Sequence, residues 1–321
     1  MSTVNEAISN IGIIPVIAFN SVEEAVPLCK ALVAGGLPAA EVTFRTACAE
    51  ECIRAIAQEV PEMLLGAGTV LTVEQADRAL AAGAKFVVAP GYDPQVTQHV
   101  IDKGGIMIPG TATPGEMQRA MNQGCEVLKF FPAEANGGVA MLKNIGAALK
   151  SAKWMCTGGV NAKNVNDYLG YNQIVAVGGT WMCKSDMIKA GEWDKITALC
   201  KEAVQTMLGF TLKHVGINCG DAAQAANVAK AFSAIFGLPY KEGNSSDFAG
   251  TAVECCKVKK PGAMGHIAIG ANNVDRAVYH LGRQGVKFLD TDRVVDAATG
   301  KTKAIYLADD FGGFAVHLVQ N

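Results

Sequence analysis

The segment Glu126–Gly138 reads EVLKFFPAEANGG. Val127, Leu128, Phe130 and Phe131 surround a single cation, Lys129, and Pro132 ends the run. A short apolar run closed by a turn residue is the pattern of a strand buried on both faces. Desolvating an ammonium group there costs several kcal/mol unless it is paired or uncharged, so Lys129 needs a reason to be where it is.

The run is one of eight. IIPVIAF (13–19), AAEVTFRT (39–46), LLGAGTV (64–70), KFVVAPG (85–91), IMIPGTA (106–112), VLKFFP (127–132), KWMCTGG (153–159) and IVAVGGT (174–180) share its character. Helical patterns lie between them, such as SVEEAVPLCKALVAGG (21–36) and TVEQADRALAAGA (72–84), and these run into glycine as helix C-termini do. Alternating β and α units with continuously apolar strands predict a parallel sheet covered by helices. Eight of them, with polar residues gathered at the strands' C-terminal ends, predict an α/β (β/α)8 TIM barrel. A doubly wound open sheet is the alternative.

After GEWDKITALCKEAVQTMLGF (191–210) the pattern changes. Strand-like KHVGINCG (213–220) leads into helical DAAQAANVAKAFSAIFG (221–237), and GHIAIGANN (265–273) leads into VDRAVYHLGRQG (274–285). Two copies of strand, helix and several short strands predict an α+β domain of paired repeats. The expected domains are therefore 1–210 and 211–321.

The 321 residues are 50% hydrophobic and 18% charged, with a formal net charge of −2, and the mean hydropathy is +0.21. That is the composition of a folded globular chain. The near-neutral charge speaks against nucleic acid or anionic membrane as partner and for small molecules. The opening MSTVNEAISN lacks the basic start of a signal peptide, and IGIIPVIAF is too short to span a bilayer. The ten cysteines include no C-x-x-C pair, so reduced thiols in a cytoplasm are expected. Adjacent Cys255 and Cys256 point to opposite sides of a strand, which disfavours a shared thiolate site.

Alternation on EVTFR places Glu41, Thr43 and Arg45 on one face and Val42 and Phe44 on the other. With helices outside, the polar set points into the barrel, and Lys129 faces inward by the same argument. A purely structural ion pair is one reading of Glu41 and Lys129, although such pairs gain little stability. A functional lysine explains more. Burial favours the uncharged amine, which attacks a ketone to give a Schiff base whose iminium withdraws electrons and permits carbon–carbon cleavage beside it. Glu41 is the inward carboxylate available as general acid/base, and Arg45 offers a planar fork for a substrate carboxylate. Thr157, Gly158 and Gly159 close the seventh strand, and Gly178, Gly179 and Thr180 the eighth. Barrel enzymes often bind phosphate through backbone N–H groups at those two ends; tight turns without a ligand are the alternative.

Taken together, EVTFRT, GAGTV, APG, KFFPAEANGG, TGGV and GGTW resemble, in this order and over residues 1 to about 205, the class I 2-keto-3-deoxy-6-phosphogluconate aldolases, which also cleave 4-hydroxy-2-oxoglutarate. The resemblance implies Lys129 as Schiff-base lysine and Glu41 as acid/base. It places Arg45, Thr69 and Pro90 around pyruvate and Gly158, Gly159 and Thr180 around the phosphate. It further implies a homotrimer, no cofactor for the aldolase, and pyruvate and glyceraldehyde 3-phosphate as products. Two positions depart from the family pattern: Thr180 stands where serine is frequent, and Cys156 where proline usually precedes TGG.

The strands HVGI, TAVECC, GHIAIG and GGFAVHLVQ resemble the paired βαβββ modules of the glyoxalase/vicinal-oxygen-chelate superfamily. There, four strands offer His, Glu, His and Glu to one divalent metal; here they offer His214, Glu254, His266 and His317. Such a set suits Zn²⁺, Ni²⁺ or Fe²⁺.

Overall fold

In the computed structural model, which describes residues 3–321, every one of the eight apolar runs forms strand. They are β1 (Ile13–Ile17), β2 (Ala39–Thr43), β3 (Leu64–Gly68), β4 (Phe86–Val88), β5 (Ile106–Ile108), β6 (Gly110–Thr111), β7 (Leu128–Phe130), β8 (Trp154–Thr157) and β9 (Ile174–Gly179). The sheet order is β5-β4-β3-β2-β1-β9-β8-β7-β6. Each strand pairs in parallel with its sequence neighbour, apart from β5 and β6, and β9 returns to β1.

The eight expected strands become nine segments because Pro109 splits the fifth. Proline has no N–H to give to a ladder. β5 pairs with β4 and β6 with β7, while the Pro109 carbonyl accepts the Lys129 N–H at 2.8 Å. The two ends of the sheet order are thus halves of one strand, and the ring closes through it as a TIM-barrel-type fold. An open doubly wound sheet reverses strand order at a switch point; no reversal occurs in this sheet.

Local signals set the helices. Thr72 accepts the Gln75 N–H as N-cap of helix Val73–Ala82, and Gly83 ends it at φ 113°, where glycine alone is unstrained. Helix Pro114–Asn122 begins with a reciprocal capping box between Thr113 and Glu116. The helix Thr3–Ile11, which buries Ile8 and Ile11, was not expected from the sequence. All ten cysteines are free, and nine are buried; burial pushes the Cys29 thiol up to about 12. No helix among the described residues is long and apolar enough to cross a membrane.

The chain divides at Met207/Leu208, beside the expected boundary near 210. The second unit holds β10 (Thr211–Asn218), β11 (Tyr240–Glu242), β12 (Ser246–Ala249), β13 (Val253–Cys256), β14 (Gly265–Ala271), β15 (Val294–Val295), β16 (Thr302–Phe311) and β17 (Phe314–Gln320). Its sheet runs β11-β12-β13-β10-β14-β17-β16-β15. β10 pairs in parallel with β13 as β14 does with β17, and the remaining partners are antiparallel in both halves. The repeat expected from sequence is therefore present in the topology, with β10 and β14 antiparallel at its centre. Helix Ala222–Phe236 packs Ala225 and Ala229 on Cys255, with Ile217 and Val253 beside them. Alternation then turns His214, Gly216 and Glu254 to the other face.

Candidate active site

Lys129 is the middle residue of β7, with Leu128 and Phe130 fully buried on either side. Its Nζ donates to Glu41 Oε1 at 3.0 Å, and the two residues are 4% and 0% exposed. Glu41 lies on β2, so the closed ring brings together groups 88 positions apart. The other carboxylate oxygen, Oε2, is buried without a hydrogen-bond partner among the described residues. One oxygen is thus committed to the amine, and its twin keeps its lone pairs free inside the barrel. The Phe131 ring centroid stands 5.3 Å from Nζ, within cation–π range. Thr43 does not join this pair, because its hydroxyl donates to the Ile17 carbonyl at 2.9 Å.

Gly68 accounts for the position of Glu41. A Cβ at residue 68 would stand 2.3 Å from Glu41 Oε1, 2.6 Å from Cγ and 2.8 Å from Cδ. Sequence reading gave Gly68 no role, because its importance arises from a side chain 27 positions earlier.

Arg45 does not share the inward face of Glu41 and Thr43. β2 stops at Thr43, and Phe44 and Arg45 form the turn beyond it, where Arg45 is exposed. Period-two facing ends with the strand, so Arg45 belongs to the barrel mouth and not to its lining. Thr69 follows the end of β3 with φ 56°, a left-handed conformation that is uncommon outside glycine and concentrates at functional sites. Pro90 follows β4, and its carbonyl lies against Gly110, where a Cβ would approach to 2.1 Å. Arg45, Thr69 and Pro90 all follow the C-terminal ends of their strands, the end at which barrel enzymes place their sites.

The turn after β8 completes that end. Gly158 and Gly159 have φ of 103° and 86°. The carbonyls there are held by neighbours: Thr157 O accepts from Ala133 N at 2.8 Å and Gly158 O from Glu134 N at 3.0 Å. Gly159 O accepts from the Asn161 and Asn164 amides at 2.9 and 3.2 Å. The register pairing Thr157 with Gly178 turns the Gly158 N–H into the β8–β9 ladder, whereas among the described residues no backbone acceptor is found for the N–H groups of Gly159 and Thr180, which lie beyond the strands. The Thr157 hydroxyl is buried and unpartnered. Gly178 and Gly179 are required by crowding, since a Cβ at the first would meet Thr157 Oγ1 at 2.4 Å and at the second the Trp181 ring at 1.9 Å. Free N–H groups at a strand end where the neighbouring carbonyls are tied back form an anion-binding concavity.

The second unit brings its four expected residues together. His214 Nε2 and His266 Nε2 are 3.1 Å apart, and both face Glu254 Oε2, at 3.1 and 3.2 Å. A ring nitrogen of His317 lies within 4.8 Å of those of His214 and His266. Ser246 fixes the carboxylate by donating to Glu254 Oε1 at 2.6 Å. Tyr306 stacks on His317 with centroids 4.8 Å apart. Gly216 makes room, as a Cβ there would meet His266 Cε1 at 2.1 Å. Hydrogen bonds from His214 and then His266 hold the Glu254 carboxyl well below the usual carboxylate range. Burial, followed by repulsion from His266 and His214, pushes His317 down to about 4.

The family described as KDPG and KHG aldolase matches residues 4–199. A 2-dehydro-3-deoxy-phosphogluconate aldolase of Treponema pallidum (strain Nichols) is 45% identical over 205 residues, which is 64% of this chain and 98% of that protein. A KHG/KDPG aldolase of Escherichia coli (strain K12) is 43% identical over 193 residues, 60% of this chain and 91% of that protein. Among solved structures, the KDPG aldolase of Legionella pneumophila, with pyruvate captured as a covalent carbinolamine, has a TM-score of 0.60 and 37% identity, covering 62% of this chain and 97% of that one. With its barrel, its buried Lys129–Glu41 pair and a match over well more than half its length, the chain belongs to the KDPG and KHG aldolase family.

Proposed function

We propose that the barrel reversibly cleaves 2-keto-3-deoxy-6-phosphogluconate to pyruvate and glyceraldehyde 3-phosphate, and 4-hydroxy-2-oxoglutarate to pyruvate and glyoxylate. As the family likeness implies, it works as a homotrimer. The observation that carries this reading is the 3.0 Å contact between Lys129 Nζ and Glu41 Oε1 inside the ring. Lys129 attacks the ketone carbon, and the carbinolamine loses water to give an iminium. Glu41 takes the proton of the aldol hydroxyl, the adjacent carbon–carbon bond breaks, its electrons pass into the iminium, and the aldehyde leaves. Glu41 then returns the proton to the enamine carbon, and water releases pyruvate from Lys129. Arg45 at the mouth binds the substrate carboxylate, with Thr69 and Pro90 lining the same end, and the turn at Gly158 and Gly159 together with Thr180 receives the phosphate through the free N–H groups of Gly159 and Thr180. Hydrogen bonds to a charged group contribute about 1.5–3 kcal/mol each. Steady-state cleavage of the two substrates side by side should therefore favour the phosphorylated one by about 10²-fold in kcat/KM; equal values would contradict the phosphate site.

For the second unit we propose a divalent metal site of the vicinal-oxygen-chelate kind, held by His214, His266 and Glu254 with His317 as fourth ligand. The fit rests on the donor triangle. Ligand atoms about 2.1 Å from a metal and at right angles stand about 3.0 Å apart, close to the 3.1, 3.1 and 3.2 Å found. Three lone-pair atoms this close repel unless protons or a cation lie between them. The set suits Zn²⁺, Ni²⁺ or Fe²⁺, and the metal would supply a Lewis acid there. Metal content of the full chain should approach one ion per chain and fall to background in His214→Ala and His266→Ala; unchanged content would refute the site.

A further inference from the structure

We infer that Glu134 is a positioning residue for the barrel's anion site: anchored by Tyr168, it aims the Gly158–Gly159 turn and so sets the preference for a phosphorylated substrate. This rests on the phosphate reading of that turn. Glu134 holds the turn in three ways. Its N–H, with that of Ala133, ties back the Gly158 and Thr157 carbonyls at 3.0 and 2.8 Å. Its side chain lies over Gly159, where a Cβ would stand 2.4 Å from Glu134 Cγ and 2.7 Å from its Cβ. Its carboxylate accepts a hydrogen bond from the Tyr168 hydroxyl.

Tyr168 is 1% exposed on the short helix Val165–Leu169, so the anchor itself is fixed by packing. Gly138 closes the contact, because a Cβ there would press on Tyr168 Oη at 3.2 Å and Glu134 Oε1 at 3.3 Å. Asn161 and Asn164 hold the far side of the turn through the Gly159 carbonyl. Glycine backbone is otherwise the freest in the chain. Clamping its carbonyls on both sides leaves the Gly159 N–H in one orientation before any ligand arrives, which lowers the ordering cost of binding. Glu134 and Tyr168 also sit in the segments that follow Lys129 and the glycine turn, and so link the two halves of the site.

The test compares both substrates in Glu134→Ala, Tyr168→Phe and Glu134→Gln. Glu134→Ala and Tyr168→Phe should raise KM for the phosphorylated substrate about 10-fold with kcat nearly unchanged, and leave cleavage of 4-hydroxy-2-oxoglutarate as it was. Inorganic phosphate, as a competitor of the unphosphorylated substrate, should weaken in parallel. Glu134→Gln should stay at or below the parent KM, since its amide oxygen still accepts from Tyr168. Equal losses on both substrates, or Glu134→Gln behaving like Glu134→Ala, would overturn the positioning role and leave a structural one. If the parent chain does not discriminate between the substrates, the phosphate reading itself falls. If it does and Glu134→Ala and Tyr168→Phe discriminate equally well, only this inference falls. Tyr168→Phe keeps the buried ring, so the test stands even if Glu134→Ala fails to fold.

Discussion

Lys129→Met is expected to lower aldol cleavage by about 10⁴-fold or more, as removing a covalent nucleophile does in other enzymes. Methionine is unbranched and of similar length, so it fills the space of the Lys129 side chain without overpacking. The cost to stability is separable from the cost to chemistry. Glu41 is 0% exposed and loses its partner, and breaking a buried pair from one side typically costs about 3–5 kcal/mol. Adding Glu41→Gln removes the stranded charge and should restore most of the lost melting temperature, with activity still absent. A pair kept only for structure would behave differently: turnover would follow stability and return in the double variant. Turnover and thermal unfolding on the same samples decide between them.

Gly68→Ala should cost about 10²-fold in kcat and change the melting temperature little. The added methyl would overlap Glu41 Oε1, Cγ and Cδ. The φ of Gly68 is not among the positive values, so alanine suits the backbone, and the flexible end of Glu41 is what gives way. A displacement of about 1 Å at a catalytic group is enough for such a loss. Glu41→Asp withdraws the carboxylate by one methylene and removes the overlap, so Gly68→Ala should do less harm in that background. This coupling is expected between groups in contact and not between distant ones. Additive losses would show that Gly68 acts on something other than Glu41.

Much of this was legible because burial and local backbone chemistry write themselves into short runs of residues. A buried lysine between Leu128 and Phe130 can only face inward once helices cover the outside, and its partner had to be an inward carboxylate, which Glu41 supplied. The glycine-rich ends of two successive strands pointed to the same mouth. The repeat in the second unit showed through its two strand–helix pairs, and the four residues proposed there as ligands, His214, Glu254, His266 and His317, come together. Arg45 was misplaced because alternation was carried two residues past the end of β2. The division of the fifth strand followed from Pro109, whose missing N–H was visible but whose effect on ring closure depends on β4 and β7 together. Gly68, Glu134 and Tyr168 were missed for one reason: each matters through a side chain 27 or 34 positions away, and a contact at that separation leaves no periodic trace in sequence.

The most direct test of the central claim is borohydride reduction of the intact chain in the presence of pyruvate, followed by peptide mass mapping. A stable adduct on the peptide carrying Lys129, absent from Lys129→Met, is the predicted result. No adduct, or one confined to a different lysine, would contradict the account.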